Sequence, residues 1–131
     1  MDSKGIKLSK ITKDRIDEII QHLDHYAPKD ARPFVVKICL MHGIENFNNQ
    51  SSLPEELKSG TWDMGAIING NDYLLGKHLI INDMQKEITE EKDIRDAMRK
   101  YIELGTMSIY SLIESSSDLF EEDFLIKLLT A

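Results

Sequence analysis

The chain has 131 residues, 41% of them hydrophobic and 30% charged, with a formal net charge of −7 and one cysteine. This suffices for one domain with a real core but not for two, and Cys39 alone excludes an intrachain disulfide framework. No apolar run approaches the roughly 18 residues that cross a bilayer, and no apolar segment follows the N-terminal lysines as in a signal peptide, so a cytoplasmic protein without membrane association is expected. The charge is unevenly spread: Lys4, Lys7, Lys10, Lys13 and Arg15 outweigh Asp2 and Asp14 by three, while Glu114 to Asp123 holds five acids and no base. Such asymmetry points to a polyanion at one end and repulsion at the other.

Residues 5–11 alternate in part, with Ile6 and Leu8 on one face and Lys7, Ser9 and Ile11 on the other, and predict a short strand. A lone short strand needs a partner, and none lies nearby in sequence. A second copy of the same strand would place Ile6 and Leu8 at an oligomer interface. Thr12 is the expected N-cap of a helix from Lys13 to about His25, with Ile16, Ile19, Ile20 and Leu23 as its apolar stripe.

"APKD" (Ala27 to Asp30) breaks that helix, and Asp30 is expected to cap the next, with Pro33 in its first turn. Phe34, Val35, Ile38, Cys39 and Met41 form its predicted buried face, and Gly43 its C-terminal stop. Residues 44–61 read as a polar loop with one helical turn at Pro54–Lys58, and "MGAIING" (Met64 to Gly70) as a brief strand ending in a turn. A third helix is predicted from Asn71 or Asp72 to Glu87, with Leu74, Leu75, His78, Leu79, Ile81 and Ile88 on its apolar side.

The clearest element follows Thr89, an expected cap. Ile94, Met98, Tyr101, Ile102, Gly105, Ile109, Leu112 and Ile113 mark one face of a long helix. Gly105 on that face is either a tolerated weak spot or a point where another helix backbone comes close. A last short helix is expected from Asp118 to Leu129. The fold class expected is therefore a mainly α, oligomeric single domain, 1–131. It comprises a ribbon-helix-helix-like unit (1–43), a loop and short strand (44–70) and a helical portion (71–131).

Few residues invite chemistry. His22 and His25 stand three apart on a helix, but two histidines are too few for a metal site, and solvated helix residues are the plainer reading. His42 and His78 are isolated. Cys39 lies on an apolar face, where a thiol is a small hydrophobe rather than a nucleophile. The pairs Glu55–Glu56, Glu90–Glu91 and Glu121–Asp123 sit near predicted helix starts, where acids are favoured structurally. Phosphate-loop, dinucleotide and nucleophile-elbow motifs are absent. No cofactor and no catalytic activity are expected.

The lysine row remains. Lysines on an edge strand can simply guard against mispairing. However, strand, helix, turn and helix in this order is the ribbon-helix-helix layout, which places a two-stranded ribbon in a DNA groove. On that reading Lys4, Lys7, Lys10, Lys13 and Arg15 contact phosphates.

Four segments, "IKLSKITKDRIDEIIQHL", "ARPFVVKICLMHGIE", "NGNDYLLGKHLIINDM" and "DAMRKYIELGTMSIYSLIE", resemble in pattern and spacing the DNA sulphur-modification protein DndE family. The resemblance covers most of the chain. It implies a small homo-oligomer, a tetramer on the family pattern, that binds DNA, with nicked duplex preferred, through surface lysines. Here these are Lys7, Lys10, Lys13 and, on the second helix, Lys37. It further implies protein partners: a cysteine desulfurase, an iron–sulphur enzyme and an ATPase that together replace a phosphate oxygen of DNA with sulphur. Gly105 matches the internal glycine of the family's long helix, where subunit contacts are expected. A sequence-specific ribbon-helix-helix regulator or antitoxin is the alternative, and an adaptor that binds only proteins through its acidic face is a third.

Overall fold

A computed structural model describes residues 2–22, 31–84 and 90–114. Its described elements run β1 (Lys7–Leu8), α1 (Lys10–His22), α2 (Ala31–Asn46), a 3-10 turn (Glu55–Leu57), β2 (Trp62–Asp63), α3 (Gly70–Met84) and α4 (Glu91–Glu114). The architecture is mainly helical, with one small antiparallel sheet near the N-terminus. No helix among the described residues is long and apolar enough to cross a membrane. The expected Asp30 and Thr89 caps, the "APKD" turn, His25 and the helix from Asp118 to Leu129 lie outside the described residues.

β1 finds its partner within the chain. Lys7 faces Asp63 and Leu8 faces Trp62, and Thr61 N–H to Leu8 O (3.0 Å) and Met64 N–H to Ile6 O (3.1 Å) extend the pairing. The expected pairing with a second copy is therefore corrected, since these backbone groups are already used. Ile6 and Leu8, expected at an oligomer interface, are buried in the chain's own core. The strand expected at Met64–Gly70 is also displaced: β2 precedes it, and the stretch turns through Gly65 and Gly70, both at positive φ.

α1 starts three residues before the expected helix start. Ser9, not Thr12, caps it: Ser9 Oγ accepts from Thr12 N–H (3.2 Å) and Ser9 O from Lys13 N–H (3.0 Å). Thr12 is buried and points to α4 instead. Ile16 and Ile19 of the predicted stripe are buried, and Ile20 packs partly against the core.

α2 and α4 form the centre of the domain. Gly43 lies inside α2 rather than ending it, because its missing side chain leaves room for the Tyr101 backbone. Gly105 likewise faces the Cys39 carbonyl. Positions 39 and 43 thus meet 105 and 101, so the two helices cross antiparallel with their backbones nearly touching. Of the two readings of Gly105, close helix approach is the one observed, and it lies within the chain rather than at the expected subunit contact.

Val35, Val36, Cys39, Leu40 and Ile44 are buried on α2, whereas Phe34 faces outward; Ile94, Met98, Tyr101, Ile102, Ile109 and Ile113 are buried on α4 as predicted. On α3 the buried face is Tyr73, Gly76 and Ile80, while Leu74, Leu75 and His78 are exposed. The predicted face was one residue out of phase.

Glu91 fastens α4 to α3. One carboxylate oxygen accepts from the Lys77 ammonium and the other from Tyr73 O–H (2.7 Å). The Lys77 hydrogen bond, then that of Tyr73, holds the Glu91 carboxyl below its ordinary 4.5. The folded chain therefore holds this proton less tightly than the unfolded one. The stabilisation is complete above pH 4.5 and is lost as pH falls through the depressed folded value. Thermal melts should accordingly show wild type above Lys77→Met at neutral pH, with the gap closing below 4.5. A gap independent of pH would show that Lys77 acts through packing alone.

Candidate functional site: a basic groove between β1 and α4

A groove of about 490 Å³ runs between β1 and the N-terminal half of α4, lined by Gly5, Ile6, Lys7, Gly60, Lys92, Arg95, Asp96 and Arg99. Its lining residues carry four cations and one carboxylate, Asp96, a net +3 in a protein of −7. Glu103 lies 3.9 Å behind Arg99, and Asp63 on β2 stands opposite Lys7. Low-dielectric walls around like charges focus the field and concentrate anions.

The groove is built by local chemistry. Lys92, Arg95 and Arg99 follow one another at spacings of three and four, so α4 presents them on one face. The opposite face, Ile94, Met98 and Tyr101, is buried. Arg95 donates to the carbonyls of Asp2 (2.7 Å) and Lys4, tying down the chain before β1. Arg99 donates to Leu57 O (2.7 Å), tying down the 3-10 turn. Glycines let the backbone close in: a Cβ on Gly60 would stand 2.6 Å from Lys7 O, and Gly5 adopts φ +90° beside Arg95. Lys7 and Lys92 are exposed and form no ion pair among the described residues.

Beneath the groove lies Glu103, fully buried. It accepts from Ser9 N–H (2.6 Å), Ser9 O–H (2.8 Å) and Thr12 O–H (2.6 Å), and stands 3.9 Å from Arg99 Nε. That Nε is buried and has no hydrogen-bond partner among the described residues. One carboxylate thus fixes the start of α1 and lies within charge range of a groove arginine.

Of the six cations singled out in the sequence, only Lys7 lines the groove. Lys4 is exposed two residues after Asp2, and its carbonyl is held by Arg95. Lys10 pairs with Asp14 (3.6 Å), Lys13 with Asp17 (3.0 Å) and Lys37 with Asp72 (2.7 Å). Arg15 lies over the Tyr110 ring, 5.3 Å from its centroid. Lys37 lines a separate, smaller cleft of about 120 Å³ with Leu40, Met41, Ile68, Asp72, Leu75 and Gly76. The N-terminal row is therefore not one basic face. Lys92, Arg95 and Arg99 were missed, although their spacing alone marks a basic helix face.

Two other groups bear on chemistry. His42 Nε2 lies 2.9 Å from Ser108 Oγ, the contact of a serine–histidine dyad. Asn46 Nδ2, however, donates to His42 O (2.9 Å) and stands 3.3 Å from Nδ1. Nδ1 is then the acceptor, and Nε2 carries the proton that Ser108 receives. A general base needs the reverse tautomer. Burial also lowers the His42 pKa, against a weaker opposing effect of Glu45. The Cys39 thiol is buried and pushed up to about 12 by desolvation, outweighing a hydrogen bond with Thr106, so it is inert at neutral pH. No metal-binding cluster of His, Cys, Asp and Glu occurs among the described residues.

No family model, curated protein or solved structure matches this chain.

Proposed function

We propose that this protein is a non-enzymatic DNA-binding and assembly subunit that grips duplex phosphates in the groove of Lys7, Lys92, Arg95 and Arg99. The observation that carries this reading is the concentration of four cations in one cleft of an otherwise acidic chain. Phosphate neutralisation supplies most sequence-independent DNA affinity, and arginines fixed by backbone carbonyls keep their geometry on binding. The resemblance of the four segments to DndE supports a role in DNA phosphorothioate modification, with nicked duplex as the preferred ligand and the desulfurase, iron–sulphur and ATPase components as partners. Several copies acting together, a tetramer on that resemblance, would multiply a short basic strip into an adequate surface.

The test is a titration against intact, nicked and operator-like duplexes at two salt concentrations. Affinity should fall steeply with salt, and Lys7→Ala/Lys92→Ala should reduce the log–log salt slope by about 2. An unchanged slope and affinity would remove the groove from DNA binding.

The alternative, a sequence-specific ribbon-helix-helix regulator, is favoured by the order strand, helix, helix at the N-terminus. It requires β1 to exchange its present partner β2 for a second copy of itself. Strong preference for a palindromic duplex would select it.

A further inference from the structure

We propose that the basic groove also receives the acidic segment Glu114–Asp123 of a second copy, so that self-association and DNA compete for one surface. The inference rests on reading the groove as a phosphate-binding site. Its first support is charge complementarity: a groove of net +3 meets a segment with five acids and no base. Carboxylates present the same oxygen acceptors to lysine and arginine as phosphates do.

Chain reach decides which copy supplies the segment. The groove cations Arg99, Arg95 and Lys92 precede Glu114 on α4 by 15, 19 and 22 residues. At about 1.5 Å per residue they lie roughly 22, 28 and 33 Å back along the helix. Beyond Glu114, a fully extended chain spans at most about 13 Å by Asp118 and about 30 Å by Asp123. Within one copy, Asp118 therefore falls short of every groove cation on α4. Glu121, Glu122 and Asp123 span at most about 23 to 30 Å, enough for Arg99 and, for Asp123, Arg95, but not for Lys92, so at most three of the five acids reach part of the groove within one copy. Glu114 itself is fixed at the far end of α4. A second copy is under no such limit and can bring all five acids to the cleft. The groove lies along the N-terminal half of α4 and Glu114, where the segment begins, ends that helix, so the contact is head-to-tail and closes into a ring or continues.

Sedimentation velocity on the full chain at about 50 and 500 mM salt tests this, the higher value screening exposed charge. Wild type should self-associate at low salt and dissociate at high salt. Lys7→Glu/Lys92→Glu and Glu121→Lys/Glu122→Lys should each weaken association at least about tenfold. The chain carrying all four changes should recover to within a few-fold of wild type, because the attraction is restored with its signs exchanged. Lys7 and Lys92 are exposed, so circular dichroism should show both groove variants folded. A monomeric wild type at low salt, or failure of the combined chain to recover, overturns the proposal.

A short duplex added to wild type and to Glu121→Lys/Glu122→Lys separates this idea from the functional reading. DNA should dissolve the wild-type assemblies and bind the variant at least as tightly. Charge-swap recovery without DNA binding by either protein would leave the interface and overturn the functional reading. DNA binding without charge-swap recovery would do the opposite.

Discussion

Gly105→Ala is expected to lower the thermal midpoint by more than 10 °C or prevent folding, at a cost of roughly 3 kcal/mol or more. A Cβ built on Gly105 stands 1.9 Å from Cys39 O and 2.9 Å from both Cys39 C and Gly43 N. These are backbone atoms of the facing helix, so no rotamer change relieves the overlap. α2 and α4 must move apart, and the packing around Cys39, Leu40, Tyr101 and Ile102 opens with them. The sign of the effect distinguishes the two readings of this glycine. A merely tolerated glycine would gain about 1 kcal/mol on becoming alanine, the better helix former.

Gly43→Ala should be similarly damaging, since its Cβ would lie 2.0 Å from Tyr101 O. Gly76→Ala is the control. Its Cβ would meet the ends of Leu40 and Met98 at 3.3 and 3.5 Å, and both are flexible side chains that can yield. Circular dichroism melts of the three variants should therefore give two large losses and one change near zero. Near-equal midpoints would refute the close crossing.

This crossing was half legible in the sequence. The apolar positions of α4 repeat with a clean helical period over many turns, so its buried face and Gly105 could be read directly. Its partner could not, because α2 lies about sixty residues earlier and its apolar residues almost encircle the helix. The same weakness explains Gly43, which resembles a helix stop until the Tyr101 backbone is seen beside it. On α3, Leu74 and Leu75 drew the predicted stripe toward solvent, whereas Tyr73 and Ile80 are the core residues. A helix with apolar groups on all sides has no phase in sequence alone.

The groove was less legible still. Lys7 was identified from its strand, but β2, which holds that strand in place, is two residues long and more than fifty positions away. Charge counting found the lysine row, yet two of its members, Lys10 and Lys13, meet acids of their own chain, as does Lys37 on α2. Lys92, Arg95 and Arg99 were hidden by the acids interleaved with them, which cancel in a residue count but not on a helix surface. Fixed side chains separate like charge from unlike charge in space, as composition cannot.

Glu103→Ala should cost about 3–5 kcal/mol, the range for removing one member of a buried charged network. In wild type the carboxylate is the acceptor for Ser9 N–H, Ser9 O–H and Thr12 O–H, all in the dry interior. Its loss leaves three donors facing a cavity, at about 1–3 kcal/mol for each buried group that stays unpaired. The positive Arg99 also loses the nearby acid that offsets it. Glu103→Gln keeps the volume and one carbonyl oxygen for Ser9 N–H. Its amide can donate to the two hydroxyls, so a loss of about 1–2 kcal/mol is expected from chemical denaturation.

The position of the damage is as informative as its size. Ser9 caps α1, and Lys7 lies two residues before it, while Arg99 lies one turn from Glu103 on α4. Hydrogen exchange in Glu103→Ala should therefore rise first at the amides of Thr12 and Lys13, ahead of the α4 core. Salt-dependent DNA affinity should weaken with it, although removing a negative charge beside the groove would by simple electrostatics strengthen it. Those opposite signs separate a carboxylate that positions the groove from one that merely lies beneath it. An unchanged exchange pattern with tighter DNA binding would leave Glu103 only its charge.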